Sequence, residues 1–199
     1  DQGFQGPQSS FRGLGEICSM SGVSGFLLQE LSDARKIVAE EISKPGVRFL
    51  ALSQRRAGEE LFETNITDSA QDNSVIQYRS GVDATIACFG YSLKQGKSLA
   101  NLCTDRSINA SLFSFNYVED ADWKIAIQNA SRTKKLIIFD DSQSTTSLAF
   151  RFLTEVLEFD PDVQFTFVRD RGSKSTAGST DDFNPNLADL LKHSPQKIS

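Results

Sequence analysis

Gly81-Val82-Asp83-Ala84-Thr85-Ile86-Ala87-Cys88-Phe89-Gly90-Tyr91 is the stretch that decides the fold. Between a Gly-Val-Asp turn and a second glycine, the run from Ala84 to Phe89 has Thr85 as its one polar residue. A strand with one wet face alternates apolar and polar residues; an unbroken apolar run belongs to a strand covered by helices on both faces. The segment therefore predicts an interior strand of a parallel α/β sheet.

The pattern continues toward the C-terminus. A helix is expected over 92–104, a strand over 110–115, a helix over 120–131 and a strand over 135–139. A further helix follows from Ala149, Phe152, Leu153, Val156 and Leu157, whose spacing puts them on one face. Val163, Phe165 and Phe167 alternate with Gln164 and Thr166, as in a less buried edge strand. From about 171 the chain turns polar and glycine-containing, so a mostly irregular tail is expected, with Leu187, Leu190 and Leu191 as a short helical anchor. Right-handed crossovers then give a three-layer, mostly parallel sheet with helices on both faces.

Toward the N-terminus, glycine and serine crowd the first 25 residues, which read as loop. Phe26-Leu27-Leu28, a helix begun at Ser32-Asp33 and carried by Ala34, Ile37, Val38 and Ile42, and Val47 to Leu52 form a β-α-β unit over about 25–53. Residues 63–80, rich in Thr, Ser, Asp, Asn and Gln, read as a linker. The organisation is thus a partial α/β unit over 1–62, the linker, and an α/β domain over 81–199. Two strands and a helix are too few to cover a sheet, so Phe26, Leu27, Leu28, Phe49 and Leu50 are expected to face water unless a partner covers them. A homodimer or larger assembly follows.

The chain has 199 residues and a net charge of −5, with no basic tract. Bulk charge of that sign repels nucleic acid and anionic membranes, and no apolar run approaches the roughly 20 residues of a membrane span. Neither partner is expected. Cys18, Cys88 and Cys103 are odd in number and lack Cys-x-x-Cys spacing, so they read as reduced core thiols in a cytoplasmic or organellar-matrix protein. The sequons at Asn65, Asn109 and Asn129 read as chance matches, since Asn109 opens a strand and Asn129 lies in a helix. The start at Asp1 without Met reads as a processed, excised or incompletely numbered product.

Chemistry is sparse. The one histidine, His193, lies in the tail without converging partners, which leaves no Ser-His-Asp, Cys-His or histidine-metal site. Asp140-Asp141 and Asp181-Asp182 read as solvated acids rather than a metal site, and Glu119, Asp120 and Asp122 as the favourable charge of a helix start. Gly13-x-Gly15 and Gly22-x-x-Gly25 lack the full spacing of a phosphate loop. Gln54-Arg55-Arg56 directly follows a strand, where open α/β sheets bind ligands, and guanidinium groups suit phosphates; a solvated turn is the simpler reading.

The order of motifs resembles the transketolase-like thiamine-diphosphate enzymes over roughly residues 4–170, closest in pattern to 2-oxoacid dehydrogenase beta subunits and transketolase. Gly6-Pro7-Gln8-Ser9-Ser10 is similar to their Gly-Pro-Gln-His-Ser segment, and 22–53 to the closing β-α-β part of their pyrimidine-binding domain. Gly81 to Ile86 with Phe89-Gly90-Tyr91 resembles the opening of their C-terminal domain, and Lys135 to Asp141 its later strand. The resemblance implies a C-terminal portion that contributes a dimer interface and one edge of an active site, with Gln8, Ser9 and Arg55 as substrate-edge or anion-binding candidates. It implies no catalytic and no metal-binding residue in this chain. Ser9 stands where the family has its histidine and cannot act as an acid or base near neutral pH.

The same resemblance places the activating glutamate, the diphosphate and the magnesium on a part outside this sequence. The chain alone is expected to be inactive and to bind no cofactor, with a second copy or a complementary subunit carrying the diphosphate site. A non-catalytic interaction or scaffolding module is the alternative. A small-ligand enzyme using Arg12, Arg55 and strand-end acids is the third.

Overall fold

The computed structural model describes residues 21–52, 68–69, 75–116, 123–141, 147–169 and 185–191. Strand β1 (Val23–Leu28), helix α1 (Leu31–Glu41) and strand β2 (Val47–Leu52) form a two-stranded parallel sheet with one helix. The second sheet has six strands: β3 (Asp68–Ser69), β4 (Val75–Arg79), β5 (Ala84–Phe89), β6 (Ala110–Phe115), β7 (Lys135–Asp140) and β8 (Gln164–Arg169). Its order is β3-β4-β6-β5-β7-β8, with β6, β5, β7 and β8 parallel and β3 and β4 antiparallel at one edge.

Helices α2 (Leu93–Thr104), α3 (Lys124–Thr133), α4 (Leu148–Phe159) and α5 (Leu187–Leu190) make up the outer layers. On one face Leu99, Ala100 and Cys103 of α2 pack on Ile86, Cys88 and Leu112, and the leucines of α5 join them. On the other, Ala126 and Ala130 of α3 and Phe152 and Val156 of α4 pack on Ala87, Phe89, Phe113 and Ile138. The chain is α/β, with a mostly parallel sheet between two helical layers, as its sequence predicts. All six residues of β5 are buried, as the decisive run requires.

The interior strand carries one polar group, Thr85, and the fold satisfies it. Its hydroxyl lies 2.6 Å from Asn129 Oδ1 and 2.8 Å from Thr133 Oγ1, both on α3. A buried hydroxyl without such partners would cost about 1–3 kcal/mol. The turn before β5 is equally constrained. A Cβ on Gly81 would lie 2.4 Å from the Ala110 carbonyl carbon, and the Gly81 amide donates to Ser111 Oγ at 2.8 Å.

Three readings change. Val75–Arg79, placed in the linker, is a strand that buries Val75, Ile76 and Tyr78 and pairs antiparallel with β6. Its short apolar run was obscured by Gln77, Arg79 and Ser80. Phe26, Leu27 and Leu28, expected to face water, are buried without any second chain, because α1 covers Phe26 and Leu28 while Tyr91 and Leu148 cover Leu27. The edge strand is where alternation put it, but Phe165 is 46% exposed and the buried member of the series, Val163, precedes the strand.

Candidate functional site

Ligands of open α/β sheets bind beyond the carboxyl ends of the strands, where successive crossovers diverge. Here β6 flanks β5 on one side and β7 on the other, so that point lies between β5 and β7. The residues that follow them are Gly90, Tyr91 and Ser92 after β5, and Asp141 after β7, whose last residue is Asp140. Arg169, at the end of β8, is the register neighbour of Asp140.

At this point the β5 turn and the residue after β7 lie close together. Gly90 has φ +69°, a left-handed conformation that suits glycine, and a Cβ there would lie 1.7 Å from Asp141 Oδ1. The β5 turn thus presses against the acidic side chain that follows β7. Burial, and then the negative charge of Asp141, push the Tyr91 phenol above its ordinary range, so the ring stays a neutral donor. Ser92 Oγ donates to Phe89 O at 2.7 Å and Phe139 O at 3.2 Å, tying β5 to β7.

The first sheet meets the same end of the main sheet. Leu27 packs against Tyr91 and Leu148, one residue from each side of the divergence. Beside it, Gln29 reaches the carboxyl ends of β5 and β6. Its Nε2 lies within hydrogen-bonding distance of Cys88 O at 3.2 Å, Ser114 Oγ at 3.1 Å and Phe115 O at 3.3 Å. Its Oε1 accepts from the Leu93 amide at 3.2 Å, in the first residue of α2. A helix amino terminus readily holds an anion, and this one holds a neutral amide from the same chain. Glu30 accepts from the Tyr78 hydroxyl at 3.3 Å, and the Leu27 amide donates to Asn116 O at 2.6 Å.

Little nucleophilic chemistry is available. Burial raises the thiols of Cys88 and Cys103, which keeps them protonated and inert. Among the described residues no group of three or more His, Cys, Asp and Glu is placed to hold a metal ion. Among those same residues no helix is long and apolar enough to cross a membrane. Gln8, Ser9, Arg12, Arg55, Asp181, Asp182 and His193 lie outside the described residues, as do Glu119, Asp120 and Asp122. Asp140 and Asp141 are brought to the strand ends, Asp140 being buried there. Sequence reasoning did not name Gln29 and named Tyr91 only within a resembling motif, although both follow predicted strands, the one positional signal that could have flagged them.

No protein-family model matches the chain, and no curated protein matches it either. Solved structures do. A structure described as a split-gene transketolase, an inactive beta4 tetramer, superposes with a TM-score of 0.64 at 16% identity, covering 80% of this chain and 52% of that one. Transketolase from Campylobacter jejuni superposes with a TM-score of 0.60 at 11% identity, covering 95% of this chain and 27% of that one. At such identities the likeness concerns the fold, which is transketolase-like. The chain spans about half the length of the first of these structures and about a quarter of the second.

Proposed function

We propose that this chain is the C-terminal portion of a transketolase-like thiamine-diphosphate enzyme, contributing a subunit interface and one edge of an active site completed elsewhere. The observation that carries the reading is the unfinished first sheet. Parallel strands occur almost only inside sheets covered on both faces, yet among the described residues β1 and β2 form a sheet of two, and Val47 and Leu52 of β2 are 61% and 56% exposed. Further strands supplied along β2 would finish it. The fold likeness supports a transketolase-like source for them, and the split-gene structure offers a precedent for a transketolase divided between chains.

The residues described here do not themselves fit the cofactor. A diphosphate with a divalent cation needs converging oxygen ligands, and the amino terminus of α2 is taken by Gln29. Thiamine diphosphate and magnesium therefore belong to the complete enzyme in this reading. Gln8, Ser9 and Arg55 remain the proposed active-site edge, with Ser9 unable to replace a histidine. The second reading, a non-catalytic interaction module, is favoured by Leu27 and Gln29, which take up contacts at the carboxyl end of the main sheet themselves.

Native mass spectrometry of the chain as isolated from its source, before and after adding thiamine diphosphate and magnesium, separates the two. The enzyme reading expects a complex with a larger chain that takes up the cofactor. A self-assembled species that ignores the cofactor supports the module.

A further inference from the structure

Gln29 sits at a junction of three elements: the carboxyl ends of β5 and β6 and the amino terminus of α2. It is 4% exposed, and its amide meets partners on all three. The arrangement also forms a circuit. Gln29 Nε2 donates to Ser114 Oγ, whose hydroxyl donates to Asn116 Oδ1 at 2.7 Å, and Asn116 O accepts from the amide of Leu27, two residues before Gln29. Ser114 and Asn116 are fully buried. A buried amide of this kind contributes little while satisfied, but removing it takes a partner from each group it meets.

We propose that Gln29 is an internal ligand: its amide occupies the carboxyl ends of β5 and β6 and the amino terminus of α2, and latches the first sheet to the main one. These strand ends are thereby a receptor for β1, and the position of everything carried by the β1–β2 unit is set by the main domain. The device is independent of the enzyme reading, since it depends only on contacts inside this chain. It also explains why a sheet of two strands holds a definite place. Leu27 supplies the apolar contact, and the amide circuit supplies the register, because a shift of one residue would point Gln29 away from Cys88 O and Leu93 N.

The test is segment-resolved amide exchange on the full chain, comparing Gln29→Leu, Ser114→Ala and the double variant with wild type. Leucine keeps most of the side-chain volume and loses the amide. If the latch exists, Gln29→Leu raises exchange in β1 and β2 about tenfold or more, while Ile86, Leu112 and Ile138 in the main sheet keep wild-type protection. Because Ser114 acts through the same circuit, the double variant should be no faster than the worse single one. Unchanged exchange in β1 and β2 would overturn the proposal. So would equal acceleration in both sheets, which marks general destabilisation, or multiplying effects in the double variant. Should Gln29→Leu fail to fold, Gln29→Asn, which keeps the amide but shortens its reach, is read by the same criteria.

Discussion

Strands β5 and β2 are both six residues long and both lie in parallel sheets, yet every residue of β5 is buried while β2 is half-buried along its middle and exposed at both ends. The difference lies in what each strand has beside it rather than in its residues. β5 has a strand on each side and a helix layer above and below. β2 has β1 on one side and, among the described residues, no strand on the other. Val-Arg-Phe-Leu-Ala-Leu is as apolar as an interior strand needs to be, so its exposure marks a sheet that is open along β2 among the described residues.

A pair of core truncations gives the largest contrast. Phe152 is fully buried on α4, with ring centroids 4.7 Å from Phe115, 5.6 Å from Phe89 and 5.8 Å from Trp123. Phe152→Ala should cost about 3–5 kcal/mol, within reach of unfolding the domain. Phe49→Ala in the half-buried β2 should cost about 1–2 kcal/mol. Urea unfolding of the two variants measures both. Equal losses would mean that the first sheet is as completely packed as the second.

Gly90→Ala comes next. The left-handed backbone costs a non-glycine residue roughly 1–2 kcal/mol, and the new Cβ would also have to displace Asp141 from its place beside the turn. The expected result is a lower unfolding midpoint with an unchanged denaturant slope. A neutral substitution would show that the crevice between β5 and β7 has room to open, and would weaken the view that it is closed to ligands.

How much of this contrast was legible beforehand depends on the range of the interactions. Ala84 to Phe89 announced burial on both faces by its own composition, and the helical spacing of Ala149, Phe152, Leu153 and Val156 gave the buried face of α4. Such signals are local. The antiparallel strand β4 was hidden in a polar stretch, because its pairing with Phe113 and Phe115 is a matter of contacts some forty residues away. Gln29 was less readable still: a glutamine after a strand looks like a solvated loop residue, and its partners lie 59 to 86 residues further on. The burial of Leu27 was missed for the same reason, since Tyr91 and Leu148, which pack against it, belong to the main domain. The candidates drawn from resemblance, Gln8, Ser9 and Arg55, stand outside the described residues.

The open edge of β2 makes a prediction at single-residue resolution. The Val47 amide donates to Gly22 O at 3.2 Å, so the inward-facing backbone groups are those of Val47, Phe49 and Ala51, and those of Arg48, Leu50 and Leu52 point outward. Amide exchange in the isolated chain should alternate along β2, slow at Phe49 and Ala51 and fast at Leu50 and Leu52, whereas β5 should be protected throughout. Slow exchange at Leu50 would mean that its edge is already paired, and the argument for missing strands would fall. Protection of Leu50 that appears only on mixing with a complementary chain would instead identify the segment that completes the sheet.

The smallest expected effect tests whether the main domain is complete at its far end. Asp160 follows α4 and accepts from Lys134, at the end of α3, and from Ser131, while its other oxygen accepts from the Asp162 amide at 3.2 Å. The hydrogen bond from Lys134 above all holds the Asp160 carboxyl below its usual range. Because the folded value is depressed, the stabilisation is present above the unfolded value of about 3.9 and is lost as pH falls through the folded one. Asp160→Asn should therefore lower stability slightly and constantly near neutral pH, and its curve should converge with that of wild type in acid below about pH 4. The pair is exposed on its lysine side, so screening by salt should shrink the difference further. The loss belongs in the main sheet and its helices alone. If exchange in β1 and β2 rose with it, the two regions would be sharing stability across the whole molecule, and the local account of their difference would have to give way to a single cooperative unit.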